Sequence, residues 1–240
     1  MLKAVFFDLD ETLLPLDENK FVKVYFKLLY DKVKHLGYFE EASFFEDIMI
    51  GVKLMMKNDG SKTNEEVFWH YFIERYGTRI IKDKPLFDDF YVNEFKKLKI
   101  VCDENLLAKE IVKYVKSENL KCILSTNPIF PIAGTRTRMS FVGLNDSDFD
   151  YITAYENSSF SKPNPKYFEI LLNKFNLKPN EVILFGNNVT EDYECAKSAG
   201  INCFLVGNYI IGDLKKEINH IKMNEIIPVI KKVFNMSNNV

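Results

Sequence analysis

Asp8 and Asp10 stand two residues apart at the end of a short apolar run, Ala4-Val5-Phe6-Phe7, and Thr12 follows two residues later. The side-chain period of a strand is two, so a pair that is still extended would turn both carboxylates the same way. Two carboxylates forced together repel unless a cation or a shared proton compensates them. Further along the chain, polar residues repeatedly follow apolar runs. Ser125-Thr126-Asn127 ends Leu120–Leu124, Lys162 stands before Pro163, and Asn187-Asn188 with Asp192 ends Val182–Phe185. Each has a plain structural explanation: a turn, a solvated charge, a helix cap. Together they supply a hydroxyl, amides, an ammonium and three carboxylates, a set that reads as one shared active site.

The elements that must position these groups follow from periodicity. Residues 1–14 read as a strand and a turn. From Asp17 to about Lys99 the spacing is helical. Val22, Tyr25, Phe26, Leu29, Val33 and Leu36 form one apolar face, and Phe44 to Met56 form a second helix stopped by Asn58-Asp59-Gly60. Thr63 and Glu66 have the form of a capping box opening a third helix that stops near Gly77. A fourth is expected over Leu86–Leu98. After Asp103 the chain alternates. Helices over Asn105–Lys116, after Pro131, over Pro165–Phe175, Glu191–Ala199 and Glu225–Phe234 are interleaved with strands at 120–125, 151–154, 182–185 and 202–206. Such alternation implies a parallel sheet covered by helices. The expectation is an α/β fold: a Rossmann-like, doubly wound core formed by residues 1–15 and 103–240, with an all-helical cap domain inserted at 16–102. In open parallel sheets ligands sit beyond the carboxyl ends of the strands, so the polar residues above are read as one site.

Composition narrows the function classes. A net charge of −2 with scattered basic residues gives no nucleic-acid footprint. No apolar stretch reaches the ~18 residues of a membrane span, and the N-terminal run is broken by Asp8 before it could be a signal-peptide core. Cys102, Cys122, Cys195 and Cys203 lack metal-type spacing and read as reduced thiols, which suits the cytoplasm. His35, His70 and His220 show no ligand spacing. The 21 Phe and 12 Tyr suffice for a sizeable core with some left to line a pocket.

These motifs resemble the haloacid dehalogenase-like hydrolase superfamily. Asp8, Asp10 and Thr12 match its Asp-x-Asp-x-Thr motif, Thr126 its strand-end hydroxyl, and Lys162-Pro163 its lysine. The helical insertion is similar to that family's helical cap. The resemblance implies a Mg²⁺-dependent phosphatase acting on a small phosphorylated substrate, with Asp8 as nucleophile and Asp10 as general acid and base. It implies that Lys162 neutralises charge and that Thr126 and Asn127 hold the phosphate. Mg²⁺ would be held by Asp8, the Asp10 carbonyl, Asn188 and Asp192. The fourth motif is half matched: Gly186-Asn187-Asn188 carries amides where the first acid usually stands, and Asn188 is the altered ligand. Three carboxylates against one divalent cation and Lys162 then sum to zero, so weaker metal binding is expected. A phosphomutase would use the same residues, and a weakened, binding-only protein is a further alternative. A dehalogenase needs no second aspartate, so Asp10 argues against that chemistry. Arg136 and Arg138 are expected on a helix surface, and Lys20, Lys23, Asn58 and Arg75 are the polar candidates of the cap.

Overall fold

The structure, a computed structural model, describes residues 1–238. Six parallel strands form one sheet in the order β3-β2-β1-β4-β5-β6, with β1 Ala4–Phe7, β2 Lys121–Leu124, β3 Tyr151–Ile152, β4 Val182–Gly186, β5 Asn202–Val206 and β6 His220–Ile221. Alternation along β1 explains the layers. Val5 and Phe7 belong to one buried cluster, Ala4 and Phe6 to another on the opposite face. The second face is covered by α7 (Lys166–Lys174) and α8 (Cys195–Ser198). The first is covered by α5 (Leu106–Ser117), α6 (Ile132–Phe141) and α9 (Ile226–Asn238), and by the inserted helices. Strand order reverses at β1, which lies between β2 and β4, and at such a switch point the strand ends leave a crevice.

The insertion holds α1 (Glu18–Val33), α2 (Glu41–Met56), α3 (Asn64–Tyr76) and α4 (Ile80–Val92), followed by a 3₁₀ segment at Glu94–Val101. Its entry and exit pair with each other. Leu16 and Cys102 form an antiparallel bridge, and Asp103 N–H donates to the Pro15 carbonyl at 2.9 Å. The capping box of Thr63 and Glu66 forms as expected. The fourth helix begins earlier than its apolar spacing suggests and breaks at Asn93, whose backbone (φ −112°, ψ −82°) leaves the helical region. The expected helix at 191–199 opens instead as a π-helical turn over Val189–Glu194 before α8. The two-residue β6, beyond an exposed loop, is too short to be read from a pattern. No helix among the described residues is long and apolar enough to cross a membrane.

A second attachment ties the insertion to the core. Asn64, fully buried at the start of α3, donates through Nδ2 to the Pro128 carbonyl (3.0 Å) and to Ser161 Oγ (2.9 Å), and accepts from Asn58 Nδ2 (2.9 Å). Its backbone N–H reaches the Ser158 carbonyl, and that of Glu65 the Tyr155 carbonyl. A buried polar group stripped of its partners costs its full desolvation. Asn64→Leu should therefore lower the unfolding free energy by about 2–4 kcal/mol, measured by urea denaturation, because three buried partners each lose a hydrogen bond at once. A loss below about 0.5 kcal/mol would remove Asn64 as a fastening point.

Candidate active site

β1 ends at Phe7, so the aspartate pair lies just past the strand and not within it. The turn is tight: Leu14 and Thr12 N–H donate to the Leu9 carbonyl, Glu11 N–H donates to Leu14, and Glu11 adopts a left-handed φ of 57°. Those bonds leave the Asp10 carbonyl unused among the described residues. Asp8 N–H is fixed to the Phe185 carbonyl of β4. Asp8, Asp10, Thr126, Asn127, Asn188 and Asp192 all line one cavity at the sheet edge, beneath the inserted helices.

Lys162 is the hub. Its side chain is 1% exposed, and its ammonium donates to Asp8 Oδ1 at 2.9 Å and to Asp192 Oδ1. Burial pulls the proton affinity of Lys162 down, but Asp192 and Asp8 outweigh it and hold the ammonium well above its usual range. Asp8 is pushed up to about 7, chiefly by burial, with Lys162 opposing and Asp192 and Asp10 adding repulsion. Asp192 is fully committed: Oδ1 faces Lys162, and Oδ2 accepts the backbone N–H groups of Asn187 and Asn188, each at 3.0 Å. Gly186 makes this possible, since a Cβ there would stand 2.3 Å from Asp192 Cγ.

Thr126 is held by its carbonyl, which accepts from the hydroxyls of Thr153 (2.7 Å) and Tyr167 (2.9 Å), while its own hydroxyl donates to none of the described residues. Asn127 donates through Nδ2 to Glu191 Oε2 at 2.8 Å and to the Lys162 carbonyl at 3.3 Å, while its Oδ1 is buried without a partner, so the donor it has left for an anion is its backbone N–H. Glu191 thus sits in the site as an amide acceptor, its proton affinity raised by burial. Asn188, expected as a metal ligand, spends Oδ1 on the N–H groups of Thr190 and Glu191, both at 3.0 Å, and works here as a helix cap. Asn187 donates to Glu11 Oε2 at 2.9 Å.

Arg138 corrects the expectation of a surface side chain. It is 1% exposed, stacks over the Phe130 ring at 4.3 Å, and ion-pairs with Asp10 Oδ2. Arg136 is exposed and binds Asp146, as a surface residue does. The buried face of α6 is mixed, Gly134, Thr135, Thr137 and Arg138 beside Met139 and Phe141, so no clean apolar stripe set Arg138 apart from a solvated charge. Burial raises the proton affinity of Asp10, and Arg138 and then Lys162 oppose it. Asp10 Oδ1 and Arg138 Nε are buried without partners. Of the cap candidates, Lys20, Lys23, Asn58 and Arg75 do not line the cavity; Arg75 binds Asp47 and Asn58 binds Asn64.

The site offers a metal only part of a coordination sphere. Asp8 engages one carboxylate oxygen with Lys162, and the Asp10 carbonyl is unused, so both present hard oxygens of the kind Mg²⁺ prefers. Asp192 can join only by sharing an oxygen with its present donors. No group of three or more His, Cys, Asp or Glu side chains able to hold a metal occurs among the described residues. The fit therefore runs through Asp8 and the Asp10 carbonyl. Arg138 adds one positive charge, and Glu191 one acid, to the balance drawn from sequence.

A family model described as haloacid dehalogenase-like hydrolase matches residues 2–200. A ribulose-1,5-bisphosphate 5-phosphatase of Halopiger xanaduensis is 23% identical over 212 residues, 85% of this chain and 84% of that protein. A phosphorylated carbohydrates phosphatase of Thermotoga maritima is 27% identical over 135 residues, 54% of this chain, and the match spans only 61% of that relative's length. Among solved structures, a HAD phosphatase from Thermococcus onnurineus superposes with a TM-score of 0.61 at 18% identity, covering 95% of this chain and 98% of that one. A β-phosphoglucomutase from Clostridium difficile gives 0.54 at 17% identity over 100% of both chains. At these identities the superpositions speak for the fold alone.

Two measurements follow from the geometry. The Asp8 carboxyl binds its proton more tightly folded than unfolded. The stability this lends is complete below about pH 4 and is lost as pH rises through about 7. In chelator, Asp8→Asn should therefore match wild type near pH 4 and melt several degrees higher at pH 8, by calorimetry. Equal midpoints at pH 8 would contradict the buried-anion cost. Asn188→Ala should cost about 1 kcal/mol through the lost cap, and Asn188→Asp almost nothing, because aspartate caps as well as asparagine.

Proposed function

The chain belongs to the haloacid dehalogenase-like hydrolases, and on that premise we propose that it is a Mg²⁺-dependent phosphatase of a small phosphorylated metabolite. The observation that carries the reading is the buried Lys162 ammonium held behind the cavity lining between Asp8 and Asp192, the two carboxylates that do line it. That arrangement keeps a carboxylate oxygen of Asp8 aimed at a bound phosphoryl group while cancelling part of the repulsion between two anions.

In the first half-reaction, Asp8 attacks phosphorus and the bond from phosphorus to the ester oxygen breaks. Asp10 gives its proton to that leaving oxygen, which makes it an alcohol. In the second, Asp10 takes a proton from water as that water attacks the aspartyl-phosphate, and inorganic phosphate leaves with the Asp8 carboxylate restored. One hard displacement becomes two easier ones. Asp10 needs an accessible proton for the first step, and its burial favours one. Arg138 limits that gain and fixes the Asp10 carboxylate in place, so it is a positioning residue. The Thr126 hydroxyl and the Asn127 backbone N–H are the donors for phosphate oxygens, and Lys162 offsets charge on the group in transfer. Mg²⁺, held by Asp8 and the Asp10 carbonyl with Asp192 beside them, would add a further positive charge for the transferring phosphoryl group. Residues 16–102 serve as the cap over this cavity.

Release of inorganic phosphate from an aryl phosphate is the test. Asp8→Asn should lower kcat by more than about 10³-fold, and Asp10→Asn by about 10²–10⁴-fold. Chelator should abolish turnover and millimolar Mg²⁺ restore it, with Asp192→Asn raising the Mg²⁺ needed for half-maximal rate. Activity in Asp8→Asn would remove the nucleophile assignment. Binding of phosphate without turnover at any Mg²⁺ concentration would leave a binding protein in place of a phosphatase.

A further inference from the structure

The cavity has two halves of different character. Its floor carries the charged groups described above. Its walls, supplied by the inserted helices, are apolar, with Phe26, Val52, Met56 and Phe68 half-buried around a space of about 330 Å³. Val22 and Met49 line the same space and are 38% and 43% exposed, although they are large hydrophobic residues.

The polar groups on these walls are few and engaged. The hydroxyls of Tyr25 and Tyr91 bond each other at 2.8 Å, and the Trp69 indole N–H donates to Tyr155 at 3.4 Å. Asp88 is ion-paired with Lys84 at 3.0 Å. Glu18 stands in the exposed first turn of α1. The inserted helices contribute no Lys, Arg, Asn, Gln, Ser or Thr to the lining. A polyhydroxylated leaving group placed here would bury several hydroxyls with few partners, each unpaired one lowering affinity about tenfold. A second phosphate or a carboxylate would meet Glu18 and the Lys84-paired Asp88 on the walls, and the one cation in the lining among the described residues, Arg138, is already paired with Asp10. An apolar group would gain from each methylene it buries.

We propose that the substrate is the phosphate monoester of an apolar alcohol, alkyl or aryl, whose carbon skeleton fills the cap half of the cavity. A cavity of about 150 Å³ encloses benzene, so the present volume takes a phosphoryl group and a skeleton of about eight to ten carbons. The assignment rests on the phosphatase reading above and departs from the sugar phosphates for which the relatives are named.

The experiment compares kcat/KM for butyl, hexyl and octyl phosphate and glucose 6-phosphate in Mg²⁺. All four are esters of a primary hydroxyl, so the leaving oxygen is chemically similar throughout. The expected result is a rise of about threefold per added methylene, and octyl phosphate ahead of glucose 6-phosphate by more than about 100-fold. Val52→Phe, which fills the wall, should cut the octyl-to-butyl ratio at least tenfold. A flat series, or glucose 6-phosphate equal to octyl phosphate, overturns the apolar assignment while leaving the phosphatase reading intact. If no ester releases phosphate, the phosphatase reading falls. Thermal shift of Asp8→Asn then decides the cavity alone: octyl phosphate binding at least tenfold tighter than butyl phosphate supports it, and equal binding overturns it.

Discussion

Everything at the sheet edge is arranged around one buried ammonium. Lys162 is out of water, and a lone charge there would be prohibitively costly, so it requires buried acceptors, and Asp8 and Asp192 stand on either side. Asp192 in turn requires the two backbone N–H groups of Asn187 and Asn188, which the π-helical turn after β4 and the side-chain-free Gly186 bring to it. Asp8 requires β1 to end where it does, between β2 and β4. Local geometry on three strand ends is thus set by a single charge-compensation problem. The residual imbalance is left on Asp8, whose oxygen faces the cavity.

A second ion pair, Arg138 with Asp10, works in parallel on the other aspartate. The two carboxylates that stand adjacent in the chain are consequently compensated by different cations from different elements, a lysine from the loop before α7 and an arginine from α6. Burial raises the proton affinity of both acids, and each is opposed first by its own cation, Asp8 by Lys162 and Asp10 by Arg138.

Much of this was legible in the sequence because period-two and helical apolar patterns map directly onto buried faces. β1, β2, β4 and β5 and the capping box of α3 were read within a residue or two. Asp8, Asp10, Thr126, Asn127, Asn188 and Asp192 do meet at one cavity. What failed to show were features fixed by tertiary contacts. Arg138 looks like any surface arginine until Phe130 and Asp10 close around it. Asn188 is open in sequence to both a ligand and a cap, and its bonds to the nearby N–H groups of Thr190 and Glu191 fill the cap role.

The buried Asn64 junction bears on how the molecule breathes. A lid joined to its base only where the chain enters and leaves can rotate as a rigid flap. This one is riveted a second time, at the start of α3, to the very loops that precede α6 and carry Lys162. Fixed at both margins, this roof is pinned where a simple flap would be hinged, and the solvent-facing rim of the cavity is where Val22 and Met49 stand.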